Sequence, residues 1–373
     1  MTLAPARPAD LDAATLATAV HDVRRAGSLT FRVDGELLTY SAADGEVVES
    51  ATGGGDTVVV LSRQDWEHLV GQIRTPIGLL LAGALTFEQG DFNHLAAWDR
   101  VLRYLHSGIP PYSPDRADLK GRDPRAALTL ADADEELREQ LQTMGYLLVK
   151  GVFSAEEMAA ANAEVDRLAG LAAPGDDESW FVDTDEGQQL CRLVYATQRS
   201  TTLRALEQDP RIQRLAALID PTLRCAPDRM EGSAVLIKVP GTTRGLSNIP
   251  WHQDCGMGGH AIFCPSVSMG IQLTGSSPET GNLLMVPASH GQTLHYQWDK
   301  TEGVPVVEVD TEPGDVTVHI QDVMHASPQP TQQGGRRTMY VTHYPATLWD
   351  HIGPGEAYND LVRNRTEEVG ALA

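Results

Sequence analysis

Val235-Leu236-Ile237-Lys238-Val239-Pro240-Gly241, followed by Trp251-His252-Gln253-Asp254, opens the region whose reading decides the fold. From Gly232 the pattern turns to short strand-like runs: residues 233–239, 266–274, 283–286, 306–309, 315–320 and 338–343. Gly and Pro punctuate these runs at short intervals. A succession of short strands with turn signals between them predicts a sandwich or jelly roll. Upstream, 135–144 and 155–168 read as helices, the second with Ser154 as N-cap and Glu157 placed to complete a capping box.

Further toward the N-terminus the organisation changes. Leu11, Leu16, Val20 and Val23 give residues 11–23 helical spacing. Strand-like runs follow at 28–33, 37–41, 47–50 and 57–61, separated by Asp34-Gly35, Asp44-Gly45 and Gly53-Gly54-Gly55-Asp56. Helices resume over 64–72, around 75–82 and over 92–105. This order predicts a small meandering sheet covered by helices. Ile109-Pro110-Pro111-Tyr112-Ser113-Pro114 then runs into a charged stretch, the composition of a linker. The expectation is an α+β protein of two domains, 1–110 and 126–373, joined by a linker over 111–125.

The net charge of −22 repels phosphate backbones and anionic lipid surfaces. Nucleic acid is therefore not the expected partner. Asp10 and Asp12 interrupt the N-terminal stretch, so no signal peptide is read there. The longest apolar run, 76–85, is too short to span a bilayer. Cys191, Cys225, Cys255 and Cys264 form no CxxC pair or disulfide spacing, and read as reduced thiols of a cytoplasmic protein.

In an extended chain, residues two apart face the same side, so His252 and Asp254 can bind one ion together. His325, from a distant strand, can complete one face of an octahedron. Two histidines and a carboxylate leave three adjacent positions open, which suits iron(II) that must take a co-substrate and dioxygen. An HxD pair alone is weak, since most such pairs are solvated loop residues. The neighbours strengthen it. Arg336 and Arg337 follow His325, and arginine's planar fork matches a carboxylate such as the distal one of 2-oxoglutarate. Ser327 can add a hydrogen bond to the same group. Strand alternation lets only one of the two arginines face inward, leaving the other as a surface charge.

Residues from about 126 to 345 resemble the phytanoyl-CoA hydroxylase (PhyH-like) family of iron(II) and 2-oxoglutarate-dependent dioxygenases. The resemblance runs from Gln140-Leu141-Gln142-Thr143-Met144-Gly145-Tyr146-Leu147-Leu148-Val149 through Val235–Gly241 and Trp251–Asp254. It continues through Gly281-Asn282-Leu283, Pro287-Ala288-Ser289-His290, Gly314-Asp315, His325-Ala326-Ser327 and Arg336-Arg337. Two departures stand out: Ala288 replaces a usual glycine, and Pro330 stands where an Asn often follows the distal histidine. The resemblance implies a double-stranded β-helix core of the jelly-roll or cupin type, with iron on His252, Asp254 and His325. It also implies 2-oxoglutarate on Arg336 and Ser327, with Lys238 and Gln272 where such enzymes often place co-substrate contacts. The retained Asp254 carboxylate argues against halogenation, since related halogenases replace it by a small residue. Hydroxylation of a small, hydrophobic or natural-product-like substrate is the default outcome, and desaturation, epoxidation or cyclisation the alternatives.

Trp251, Tyr195, Trp180 and Phe181 are candidate pocket-lining contacts for substrate, and Arg192 and Gln189 lie in a segment that the resemblance implies lids the active site, where Arg192 could meet a substrate carboxylate; each also reads as an ordinary core or solvated residue. His319 has the wrong distance from Gly314-Asp315 for the distal ligand and reads as a strand residue. His290 belongs to the Ser-His turn, while His260 and His343 have no assigned partner. Asn364-Arg365-Thr366 matches a glycosylation sequon by spelling only. Residues 10–108, with Asp56–Ser62, Trp66, Leu69-Val70-Gly71 and Leu81-Ala82-Gly83, resemble the sterol-carrier-protein fold. That likeness implies either capture of a hydrophobic ligand or a structural and self-association role. The rival to an oxygenase is thus a ligand carrier with a silent barrel, or a cupin-like metalloenzyme that uses no 2-oxoglutarate.

Overall fold

A computed structural model describes residues 3–5, 7–23, 27–225, 232–245, 247–254, 266–293, 304–331 and 335–345. Cys255, His260, Cys264 and the Asn364 sequon lie outside these. Contacts divide the chain into two compact units: of the described residues, those up to Arg116 together with 291–293 form the first, and the rest form the second.

The first unit holds a five-stranded sheet, in the order Glu46–Ser50, Glu36–Ala43, Leu29–Val33, Thr57–Leu61, Leu85–Gln89. The central pair, Leu29–Val33 with Thr57–Leu61, is parallel and the other pairs are antiparallel. Its helices are Ala13–Val23, Arg63–Val70, Pro76–Leu81 and Phe92–Ser107. The strand Leu85–Gln89 was not expected. Leu85 and Phe87 alternate with Thr86 and Glu88, but the run is short and only Leu85 is buried, so the signal is weak. The core is filled by Trp98, Tyr40, Phe31, Leu29, Leu95 and Leu105, all nearly inaccessible to solvent. Tyr40 Oη meets His106 Nε2 at 2.9 Å inside it, and burial pushes the imidazole down to about 4.

The second unit is sheet-rich, and its strand periodicity explains the architecture. In Val267–Gln272, Val316–Ile320 and Arg337–Tyr344 the apolar residues Val267, Met269, Ile271, Val316, Val318, Met339 and Val341 share one core cluster. Leu137, Leu141, Met158, Val165, Ile212 and Leu215 from the helices pack into the same cluster. The intervening residues are polar yet also buried: Gln272, Thr317, His319 and Thr338 are at most 2% exposed. A sheet with one apolar and one polar face, both out of water, has chemistry on the polar face, because buried polar groups must find partners. These strands belong to a ten-stranded sheet. A second sheet has the order Ile249–His252, His325–Ser327, Leu283–Met285, Val307–Val309.

The helix Ala155–Ala169 starts with the capping box expected from Ser154 and Glu157. The hairpin Ser179–Thr184 with Gly187–Leu193, and the helices Thr201–Glu207 and Pro210–Ala217, were not anticipated. Cys191 is buried and burial pushes its thiol up to about 12, so the inert, reduced reading fits it. Among the described residues no helix is long and apolar enough to cross a membrane.

Ala288 occupies a left-handed backbone conformation, φ 55°, where a Cβ is disfavoured. This is the position at which the family signature has glycine. Its amide is held by Met144 O at 2.8 Å, so the conformation is imposed by packing. Ala288→Gly should stabilise the protein by about 0.5–1 kcal/mol, read as a higher midpoint in urea at unchanged slope.

Candidate metal and co-substrate site

His252 ends the strand Ile249–His252 and pairs directly with His325, which begins the strand His325–Ser327. Antiparallel register therefore brings together two imidazoles that are far apart in sequence, with ring centroids 4.2 Å apart. Each ring is fixed in the same way. His252 Nδ1 lies 2.8 Å from Pro250 O, and His325 Nδ1 lies 3.0 Å from Val323 O. Only a protonated Nδ1 can donate to a carbonyl, so Nε2 carries the free lone pair in both. The two Nε2 atoms stand 3.3 Å and 3.7 Å from Asp254 Oδ1. Ligand atoms from His252, Asp254 and His325 all lie within 4.8 Å of one another.

The electrostatics suit a cation. Burial, with His252 and His319 adding to it against the pull of Asp254, pushes His325 down to about 3, leaving it neutral. Burial opposes ionisation of Asp254, but the surrounding histidines, with His319 donating to Oδ2, outweigh it. The carboxyl is held well below its usual range. Two imidazoles turned to present Nε2 and one carboxylate are a donor set that suits a divalent first-row metal.

Two residues along the strand from His325, and so on the same face, Ser327 leads to a buried cation. Arg336 is 1% exposed. Its Nη1 donates to Gly281 O at 3.0 Å and reaches Ser327 Oγ at 3.3 Å, Nε donates to Thr338 Oγ1 at 2.7 Å, and Nη2 donates to Tyr340 Oη. Gly281 presents that carbonyl from φ 76°, and a Cβ there would come within 2.5 Å of Pro328 O. Among the described residues Arg336 has no carboxylate partner, although a guanidinium out of water calls for one. Arg337 turns the other way and pairs with Asp166 at 2.7 Å.

Gln272 belongs to the same polar face: its Oε1 accepts from Thr338 Oγ1 at 3.0 Å. Lys238 is also buried, but its ammonium donates to three backbone carbonyls, of Ser247, Ser327 and Pro328. It ties the chain leading into His252 to the strand carrying His325 and Ser327. Burial and the neighbouring Arg336 push its pKa well below the ordinary lysine range. Arg192 is aligned across the sheet with Leu236, Thr338 and Gln272, so it leaves the sheet on their face, with its guanidinium 5.0 Å from the centre of the Trp180 ring. Trp251 is half-buried, and Tyr195 stands at φ 51° ahead of the helix Ala196–Arg199. What the sequence reading missed is the contact His319 makes with Asp254. His319 lies on the strand Val316–Ile320 as expected, and its Nε2 contacts Asp254 Oδ2 at 3.1 Å. Its signal was parity: a polar residue in step with Thr317 within an otherwise apolar run.

Fold and site together define a sheet-rich α+β protein with a two-histidine, one-carboxylate cluster beside a buried arginine. A model of the phytanoyl-CoA dioxygenase (PhyH) family matches residues 141–338, and the chain belongs to that family. The ectoine dioxygenase of Stutzerimonas stutzeri (strain A1501) is 30% identical over 173 residues, covering 44% of this chain and 53% of that protein. The chain thus spans about half the length of the curated relative it matches. Among solved structures, EctD from S. alaskensis with 2-oxoglutarate and 5-hydroxyectoine is 18% identical, with a TM-score of 0.48 over 61% of this chain and 82% of that one. The epimerase SnoN in complex with Fe3+, alpha ketoglutarate and nogalamycin RO is 24% identical, with a TM-score of 0.47 over 57% and 84%.

Proposed function

We propose that this protein is an iron(II)- and 2-oxoglutarate-dependent oxygenase acting on a C–H bond of a small molecule, hydroxylation being the default outcome. The observation that carries the co-substrate is Arg336, a permanent cation held out of water with hydroxyls and a carbonyl around it and, among the described residues, no carboxylate. The metal is carried by the convergence of His252, Asp254 and His325. We read the paired sheets around them as a double-stranded β-helix.

When bound, iron(II) with 2-oxoglutarate and dioxygen would supply oxidation of an unactivated C–H bond, the keto acid leaving as succinate and carbon dioxide. The protein's part is geometric. His252 and His325 offer Nε2, and Asp254 offers Oδ1. Arg336 and Ser327 would hold the distal carboxylate, two residues' rise or roughly 6–7 Å along the strand from His325. Lys238 fixes the distance between these two parts by holding both backbone segments.

The first unit we read as carrier-like in fold and structural in role. Its filled core of Trp98, Tyr40 and Phe31 supports this over capture of a hydrophobic ligand. An assay without added substrate tests the whole reading. Purified protein given iron(II) and 2-oxoglutarate should form succinate slowly in air and none under argon. Oxygen uptake indifferent to 2-oxoglutarate would favour the cupin-like metalloenzyme instead.

A further inference from the structure

The two oxygens of Asp254 face different neighbours. Oδ1 lies near the Nε2 atoms of His252 and His325, while Oδ2 is 3.1 Å from His319 Nε2. His319 is 1% exposed and projects from the strand Val316–Ile320 on the same side as Thr317. Its ring lies against that of His325, with centroids 4.6 Å apart. Among the described residues its Nδ1 has no hydrogen-bond partner, so its polar contact is with Asp254. Only an N–H can pair with a carboxylate oxygen, which commits the ring to the Nε2–H form.

We infer that His319 is a positioning residue that restrains Asp254 to bind a metal through Oδ1 alone. A carboxylate can offer one oxygen or both. With two histidines already bound, one oxygen leaves three octahedral positions open and two oxygens leave two. A chelating keto acid takes two positions and dioxygen a third, so only single-oxygen ligation accommodates both. The N–H on Oδ2 occupies the oxygen that would otherwise swing onto the metal. The inference rests on the proposed iron and 2-oxoglutarate reading for its consequence, but on the Asp254–His319 contact for its geometry.

The test compares wild type with His319→Phe, which keeps a ring and its packing but has no N–H, and with His319→Gln, whose amide can donate again. His319→Leu serves as a second apolar variant should the phenylalanine not fold. Anaerobic titration with cobalt(II) reads metal affinity. Titration with iron(II) and then 2-oxoglutarate reads the visible band of the chelate. In His319→Phe the carboxylate is no longer held with Oδ1 towards the imidazole nitrogens, and cobalt affinity should fall about 10- to 100-fold. The 2-oxoglutarate needed for half the band should rise by a similar factor, and His319→Gln should recover most of both. Wild-type affinities in a folded apolar variant would overturn the inference, and so would a loss that glutamine fails to restore, since that marks packing alone. If wild type binds cobalt but forms no chelate band, the oxygenase reading fails. The role of His319 is then decided by the cobalt affinities.

Discussion

Replacing His252 by alanine should leave a folded protein that has lost its iron. His252 is partly exposed at the end of its strand; its polar contacts are a carbonyl two residues back and the Asp254 carboxylate, and its ring lies against that of His325. Little of the core depends on it, so thermal stability without metal should change by less than about 1 kcal/mol. Metal binding is different. Partners one step removed from a metal typically contribute about 10- to 100-fold in affinity, and loss of a direct ligand should exceed that. We expect iron(II) affinity to fall by more than roughly a hundredfold, and 2-oxoglutarate turnover with it, as measured by anaerobic titration and succinate formation. Equal affinity in the two proteins would mean that the metal, if any, binds elsewhere.

The second large effect belongs to Arg336. Removing one member of a buried, hydrogen-bonded charge pair costs about 2–5 kcal/mol of binding. Arg336→Ala should therefore raise the KM for 2-oxoglutarate by roughly thirty- to several-thousand-fold, while iron(II) affinity stays near that of wild type. Arg336→Lys should rescue little, because an ammonium cannot reproduce the planar fork that already reaches Gly281 O, Ser327, Thr338 and Tyr340. Arg337→Ala is the control. That side chain pairs with Asp166, so KM should move by less than about twofold. A strong effect at Arg337 and none at Arg336 would reverse the assignment.

What the sequence made legible, and what it withheld, follows from the range of each interaction. The pair His252 and Asp254 could be read because strand alternation is local. Joining His325 to them needed the order of motifs along the chain, and the structure supplies the register that sets His325 opposite His252. That one of Arg336 and Arg337 faces inward was also legible. Which one was decided by pairing that no local pattern records: Arg337 stands opposite Ile237 and its side chain reaches Asp166.

Lys238 and Gln272 are residue types suited to co-substrate contacts, yet their partners depend on close backbone approach. A Cβ at Gly335 would fall within 2.0 Å of Lys238 O, and such proximity has no signature in composition. His319 was judged by its spacing from Gly314-Asp315, which said nothing about Asp254. The hairpin Ser179–Leu193 stayed hidden because its turn end is exposed and polar from Asp185 to Gln189. The glycine signature broken at Ala288 was visible in sequence, and the left-handed backbone there explains why the family uses glycine.

The most direct measurement is an anaerobic titration of the full chain with iron(II) and then 2-oxoglutarate, watched in the visible region. The account predicts a weak charge-transfer band that grows with 2-oxoglutarate, saturates at one equivalent of iron, and is absent from His252→Ala. A folded, iron-loaded wild-type protein that gives no band at any 2-oxoglutarate concentration would contradict it.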